Sequence, residues 1–208
     1  MPSFSSILEL CDLIGRERPE AVFIGGVAVY LHTVRAALAA VPPESSHDAD
    51  FMISFSGYGA LKDAEEITYN ARLHKHQMLV GEVEFDIYVE RLNRLVVEYD
   101  EIVTCAESIE GVPVACPEHL LILKLEAYDS RWNSSKGVKD RRDVARLGLM
   151  LAGTARTDLI LPHLRDGLIG RLRDVAGSKV FHDLCGRNAH EAGRVRSVFG
   201  SFVEDLVR

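Results

Sequence analysis

The chain has no run of about 18 apolar residues, so no part of it is expected to span a membrane. Its opening stretch, MPSFSSILELCDLIGRER, lacks a basic segment ahead of the apolar residues and carries Glu9 and Asp12 among them, which excludes a signal peptide. Cysteine is scarce and scattered. Cys11, Cys105, Cys116 and Cys185 form no CxxC pair, and four in 208 residues is too few for a disulfide scaffold. They are read as reduced thiols of a cytoplasmic protein, with Cys105 and Cys116 as small buried hydrophobes rather than a pair across a hairpin. Positive charge is in deficit: 24 Lys and Arg stand against 31 Asp and Glu, a net charge of −7 where a general polyanion binder would be basic. Neither GxGxxG nor GxxxxGK[ST] occurs, which excludes the dinucleotide fingerprint and the P-loop. His74 and His76 have no evident third ligand, and His182, Cys185 and His190 match no zinc spacing. His32 and the one tryptophan, Trp132, are read as packing groups. There is no internal repeat and no low-complexity linker.

What is present is a chain with 47% hydrophobic residues, long enough to bury a sizeable core. Ser3 or Ser5 opens a helix over SSILELCDLIGRER that Pro19 stops. AVFIGG reads as a buried strand ending in a tight turn, and VAVYLHTVRAALAA as a helix that ends before Pro42 and Pro43. HDADFMIS is a strand. YGALKDAEEITYNARL has a helical pattern, and HKHQMLVGEVEFDIYVE reads as two strands joined at Gly81–Glu82. EIVTCAESI and VPVAC form a further hairpin around Gly111. Pro117 opens the helix PEHLLILKLEAYDSRW, VKDRRDVARLGLMLAG is another helix, and the last 50 or so residues are mostly helical. The expected fold class is α+β: a mixed sheet with flanking helices over residues 1–116, then an all-helical part over residues 117–208.

Three local patterns carry chemistry. Gly25 and Gly26 lie between a strand and a helix, where backbone can approach a phosphate and the helix N-terminus offers free N–H groups. Asp48 and Asp50 open an apolar strand at i and i+2, so both project from one face. Asp86 lies in an alternating strand, VEFDIYVE, whose other face is apolar; Glu84 and Glu90 share its face and compete for its role. If the two strands are neighbours, three carboxylates meet. Such hard oxygen ligands suit Mg²⁺ or Mn²⁺, which can hold a triphosphate. A fourth pattern is electrostatic. Between residues 131 and 146 six bases (Arg131, Lys136, Lys139, Arg141, Arg142, Arg146) face two acids, Asp140 and Asp143. A positive patch in an acidic protein suits a phosphate-bearing ligand.

A Gly-Gly turn, DxD some 20 residues on at a strand start, and a lone Asp in a later strand resemble the nucleotidyltransferase superfamily of DNA polymerase β. The proline-initiated helix with Lys124 and Arg131, then the KDxxD run Lys139-Asp140-Arg141-Arg142-Asp143, resembles the minimal nucleotidyltransferases. The likeness is in particular to the AbiEii-type toxins of toxin–antitoxin systems and their relatives, and Ser46-His47-Asp48-Ala49-Asp50 matches their S/T-x-D-x-D. The likeness covers about residues 21–150. It implies that Asp48, Asp50 and Asp86 bind metal, with Asp86 also the base that deprotonates the acceptor. It implies that Gly25 and Gly26 hold phosphate, that Lys124 reaches the triphosphate and that Asp143 orients Lys124 or the base. Arg131 and Lys139 belong with the nucleotide-binding residues.

Three functions follow as expectations. The first is transfer of a nucleoside monophosphate from an NTP to an acceptor, with the 3′ end of tRNA as the acceptor of a toxin. The second is nucleotidylation of a small polycation of the aminoglycoside type, which an acidic cleft would suit. The third is a catalytically weak nucleotide-binding module paired with an antitoxin protein. Val27, where many transferases place Ser, and the long AALAAVPPESS link before the DxD strand motivate it.

Overall fold

The computed structural model describes residues 3–72 and 74–208. Met1, Pro2 and Leu73 lie outside the described residues, and with them the first two positions of the signal-peptide reading and the last position of the helix expected over 58–73. The chain divides into two compact units, Met1–Leu31 with Glu44–Cys116, and His32–Pro43 with Pro117–Arg208. Among the described residues no helix is long and apolar enough to cross a membrane.

The first unit is built on a seven-stranded mixed sheet. Its strands are β1 (Val22–Ile24), β2 (Ala49–Ile53), β3 (Ile67–Asn70), β4 (Lys75–Val80), β5 (Val83–Val89), β6 (Glu107–Ile109) and β7 (Val112–Val114). Their order is β3-β4-β5-β2-β1-β7-β6. β2 runs parallel to β5, and β1 parallel to β7; the other pairs are antiparallel. Strand alternation divides the side chains between two faces. One face carries Phe23, Phe51, Phe85, Ile53 and Ile87, all fully buried, with the three rings in a row at centroid distances of 5.6 and 6.3 Å. The other face carries the polar residues that matter below.

Helix α1 (Phe4–Glu17) is capped by Ser3, whose hydroxyl accepts from the Ser6 N–H at 3.1 Å. Helix α2 (Gly25–Ala36) follows β1 with no intervening loop, and it starts on the glycines themselves rather than after them. The helix expected over residues 58–73 is half a helix. Ser54 caps α3 (Phe55–Ala64), and Glu65 then turns extended. Ile67, Thr68 and Tyr69, β-branched and aromatic, form edge strand β3, where Tyr69 lies on the ring of His76 at 5.0 Å. The expected strand over 101–109 is also divided. Glu101 accepts from the Glu98 N–H at 3.4 Å and opens the short helix α4 (Tyr99–Thr104), leaving only the last three residues to β6.

The second unit is helical. Its main elements are α5 (Pro117–Arg131), α6 (Ser135–Leu151), α7 (Asp166–Gly177), α8 (Val180–Leu184) and α9 (Ala189–Leu206). Leu120, Leu121, Leu125, Val144, Leu147, Leu172, Phe181 and Phe199 make its core. Gly148 on α6 lies directly beneath the Phe199 ring, so any side chain there would drive α9 away.

One buried carboxylate of this unit makes its stability depend on acid. Glu118 is held by the Arg156 guanidinium at 2.9 and 3.2 Å and by the Arg156 N–H at 3.2 Å. Burial alone would raise its pKa, but these donors outweigh burial and lower it from the ordinary 4.5. A lowered carboxylate pKa stabilises the fold fully above the unfolded value, and the contribution disappears as pH falls through the folded value. Glu118→Gln is therefore expected to be less stable than the wild type at pH 7, with the gap between them closing at pH values below the ordinary 4.5. Urea midpoints measured on both sides of that value check this; a gap that stays constant with pH refutes it.

Candidate active site

The β2 and β5 strands bring two of the predicted aspartates side by side. Parallel pairing sets Asp50 opposite Asp86, with Ala49 opposite Phe85 and Phe51 opposite Ile87 on the apolar face. Adjacent strands lie about 4.8 Å apart, so two carboxylates on one face of such a pair repel unless a positive group or a donor is shared.

Lys75 supplies that positive group. Its Nζ lies 2.6 Å from Asp86 Oδ2 and 3.9 Å from Asp50 Oδ1, and 5.1 Å from the ring centre of Tyr88. The three charged side chains are 7% (Asp86), 17% (Lys75) and 19% (Asp50) exposed, so one ammonium offsets half the charge of two carboxylates that are largely out of water. Burial works against the charge on Lys75, but Tyr88, Asp50 and Asp86 outweigh it and raise the pKa above its ordinary value. Burial likewise pushes the Tyr88 phenol up to about 12, which keeps it neutral at physiological pH. The second oxygen of Asp86 accepts from Gln77 Nε2 at 2.9 Å. Gln77 is itself fixed by Asn70 Nδ2 at 3.1 Å and donates to Glu84 Oε1 at 2.8 Å.

Asp48 stands one residue before β2 and accepts from the Ser46 hydroxyl at 2.8 Å. Its neighbour His47 is exposed. Glu90, one of the two acids expected to compete with Asp86, lies past the end of β5 and accepts from the Phe55 N–H at 3.1 Å and Arg91 Nε at 2.9 Å. It serves the start of α3 instead of the cluster.

Gly25 closes the other side of Asp50. Its φ is +74°, and a Cβ there would strike the Asp50 carboxylate. The N-terminus of α2, with the N–H groups that a first helical turn leaves over, is therefore laid against this carboxylate because residue 25 has no side chain. Gly25→Ala is expected to lose about 1–3 kcal/mol of unfolding free energy from backbone strain, and to displace Asp50 as well. A loss below about 0.5 kcal/mol in denaturant titration would refute the close approach. Gly26 is buried in the first turn of α2.

The oxygen donors are of the kind a hard divalent ion takes. As arranged, however, they do not fit a resident one. The Lys75 ammonium already bridges Asp50 and Asp86, and among the described residues no three His, Cys, Asp or Glu side chains converge as a ligand set. The strand register sets Asp50 beside Asp86, and Asp48 stands one residue before β2.

The residues expected to meet a triphosphate from the helical part form their own network in the second unit. Lys124 on α5 lies 2.8 Å from Asp143 and 3.7 Å from Asp140 on α6. Arg131 grips Asp140 with two hydrogen bonds, at 2.7 and 3.0 Å. Arg146 donates to Asp143 at 3.3 Å and to the Pro42 carbonyl at 3.0 Å. Two of the six bases of the positive window are thus committed to its two acids. Lys136 is exposed, while Lys139, Arg141 and Arg142 are half-buried.

Comparison with known proteins adds the fold. No family model matches the chain, and no curated relative does. Among solved structures, an antigenic nucleotidyltransferase-like protein from Paracoccidioides brasiliensis is 14% identical, with a TM-score of 0.53 over 91% of each chain. JHP933 from Helicobacter pylori is also 14% identical, with a TM-score of 0.52 over 98% of this chain and 90% of its own. The fold is nucleotidyltransferase-like. This fold sets β2 and β5 in parallel contact, which is what puts Asp50 beside Asp86.

Lys75 was not singled out by sequence reasoning, although a signal existed. The Gly81–Glu82 turn pairs Val80 with Val83, and counting back sets Gln77 opposite Asp86. Lys75 then lies diagonally across from Asp86, within reach of a long side chain.

Proposed function

We propose that the chain is a nucleotidyltransferase whose substrate is a nucleoside triphosphate carrying its own Mg²⁺ or Mn²⁺. The observation that carries this reading is the Asp50–Asp86 pair, set by strand register and closed by Gly25 at the N-terminus of α2. A carboxylate pair beside a helix N-terminus offers one place for a cation and another for phosphate oxygens.

In the reaction, an acceptor hydroxyl attacks the α-phosphorus and the bond from that phosphorus to the bridging oxygen of the β-phosphate breaks. Pyrophosphate leaves, and the hydroxyl proton passes to Asp86. Asp50 and Asp86 would meet the cation that accompanies the triphosphate, and Gly25 and Gly26 would present backbone N–H groups to its phosphates. Chemistry of this type relies on positioning and charge rather than covalent catalysis, which agrees with a site built from carboxylates and an ammonium.

We assign the acceptor to the 3′ end of RNA, tRNA in particular, as for a toxin held in check by an antitoxin. The support is the basic stretch from Lys136 to Arg142, positive in a chain of net charge −7. Incubation of purified protein with each α-labelled NTP, Mg²⁺ and total tRNA tests both steps. Label on RNA that disappears in Asp50→Asn is the expected result. Label confined to an added aminoglycoside would transfer the assignment to a small polycationic acceptor. Label transfer undiminished in Asp50→Asn would remove the site.

A further inference from the structure

Two largely buried carboxylates that share one side-chain ammonium are partly neutralised, and any second cation must compete for the same oxygens. In this chain the competitor is internal. Lys75 is anchored on β4, and its ammonium makes a 2.6 Å contact with Asp86 and a longer, 3.9 Å contact with Asp50. Gln77 holds the remaining oxygen of Asp86 at 2.9 Å. A divalent ion approaching this site without a ligand of its own meets a carboxylate whose two oxygens are both engaged. It must also push a positive charge aside in a poorly hydrated setting, where charge repulsion is strong.

A nucleoside triphosphate changes that balance. Its phosphates offer the displaced ammonium a new partner of opposite sign. The ion it carries then takes the carboxylate oxygens that the ammonium vacates. Each positive charge keeps a negative partner throughout the exchange, so neither is left bare in the protein.

We propose that Lys75 is a positioning residue, a resident counter-ion that excludes divalent metal from the Asp50–Asp86 pair until a nucleotide takes over its charge. The second half of this statement rests on the nucleotidyltransferase reading; the first half does not. The consequence is that metal and nucleotide bind together, each weakly alone. The free protein does not accumulate metal, and NTP without metal finds Asp50 and Asp86 repelling it.

The test is binding of Mn²⁺ alone, followed by the electron paramagnetic resonance signal of the free ion, in the full chain without nucleotide. Lys75→Met is expected to bind Mn²⁺ at least 10-fold more tightly than the wild type, and Lys75→Arg, which keeps the charge, to behave as the wild type. The gain should vanish when Asp86→Asn is added to Lys75→Met. Lys75→Gln provides the same charge removal with a polar side chain should the methionine variant fold poorly. The wild type itself supplies a second readout: a non-hydrolysable NTP analogue should tighten Mn²⁺ binding at least 10-fold, and this coupling should shrink in Lys75→Met. Unchanged Mn²⁺ affinity in both Lys75→Met and Lys75→Gln would overturn the proposal, as would a gain that survives Asp86→Asn. A tighter Mn²⁺ site in Lys75→Met together with no nucleotide effect in the wild type would keep the counter-ion and reject the transferase reading, so the two failures are distinguishable.

Discussion

Asp86→Asn is expected to lower nucleotidyl transfer by about 10³-fold, read as kcat/KM with the preferred NTP. The substitution keeps the shape and the hydrogen-bonding reach of the side chain and deletes its charge. It removes the proton acceptor for the incoming hydroxyl and half of the carboxylate pair together. A loss of that size corresponds to about 4 kcal/mol of transition-state stabilisation, within the range for one preorganised electrostatic group in a dry site. Folding should suffer much less. Lys75 retains Asp50 and the Tyr88 ring as neighbours, and the amide oxygen of the substituted side chain can still accept from Gln77. A variant with wild-type rates would show that the pair at β2 and β5 is only structural. A variant that loses activity by unfolding would be seen in its thermal transition.

The largest effect on stability belongs to the other carboxylate cluster. Asp143→Ala is expected to destabilise the chain by about 3–5 kcal/mol, because it removes a carboxylate partner from two buried cations at once. The Lys124 side chain is 10% exposed and that of Arg146 4%, and each has Asp143 within 3.3 Å. Asp140 still lies 3.7 Å from Lys124, but it is already engaged by Arg131, so it replaces only part of what is lost. The double variant with Lys124→Met should recover part of the loss, since the uncompensated charge and not the missing contact is the main cost. Denaturant titration of the two single variants and the double variant decides the matter. A loss under about 1 kcal/mol for Asp143→Ala, or strict additivity in the double variant, contradicts a buried network.

The sites differ in how far their residues could be recognised beforehand. Asp86 is legible because VEFDIYVE alternates cleanly, and Asp50 because it opens an apolar strand two residues after Asp48. Their adjacency is not, because β2 and β5 pair in parallel, and parallel contacts join segments without a turn to mark them. Lys75 was hidden for another reason. A lysine between two histidines reads as an ordinary polar strand, and only the register of the β4–β5 hairpin brings it to Asp86. The six bases between 131 and 146 read as a patch because composition ignores pairing, whereas the α5–α6 hairpin turns Arg131 and Arg146 onto Asp140 and Asp143. Helix and strand mistakes arose where tertiary contacts decide. Ile67–Asn70 has helical spacing in sequence, yet it completes an edge that β4 would otherwise expose, and Asn70 reaches Gln77 across that ladder.

The most direct measurement is calorimetric binding of a non-hydrolysable NTP analogue to the wild type and to the Asp50→Asn/Asp86→Asn double variant, with and without Mg²⁺. If the carboxylates meet the nucleotide through a shared cation, the double variant binds at least 10-fold more weakly with Mg²⁺. Without Mg²⁺ it binds as well as the wild type or better, since two negative charges facing the phosphates are gone. Equal affinity of the two proteins under both conditions would mean that Asp50 and Asp86 do not face the nucleotide at all.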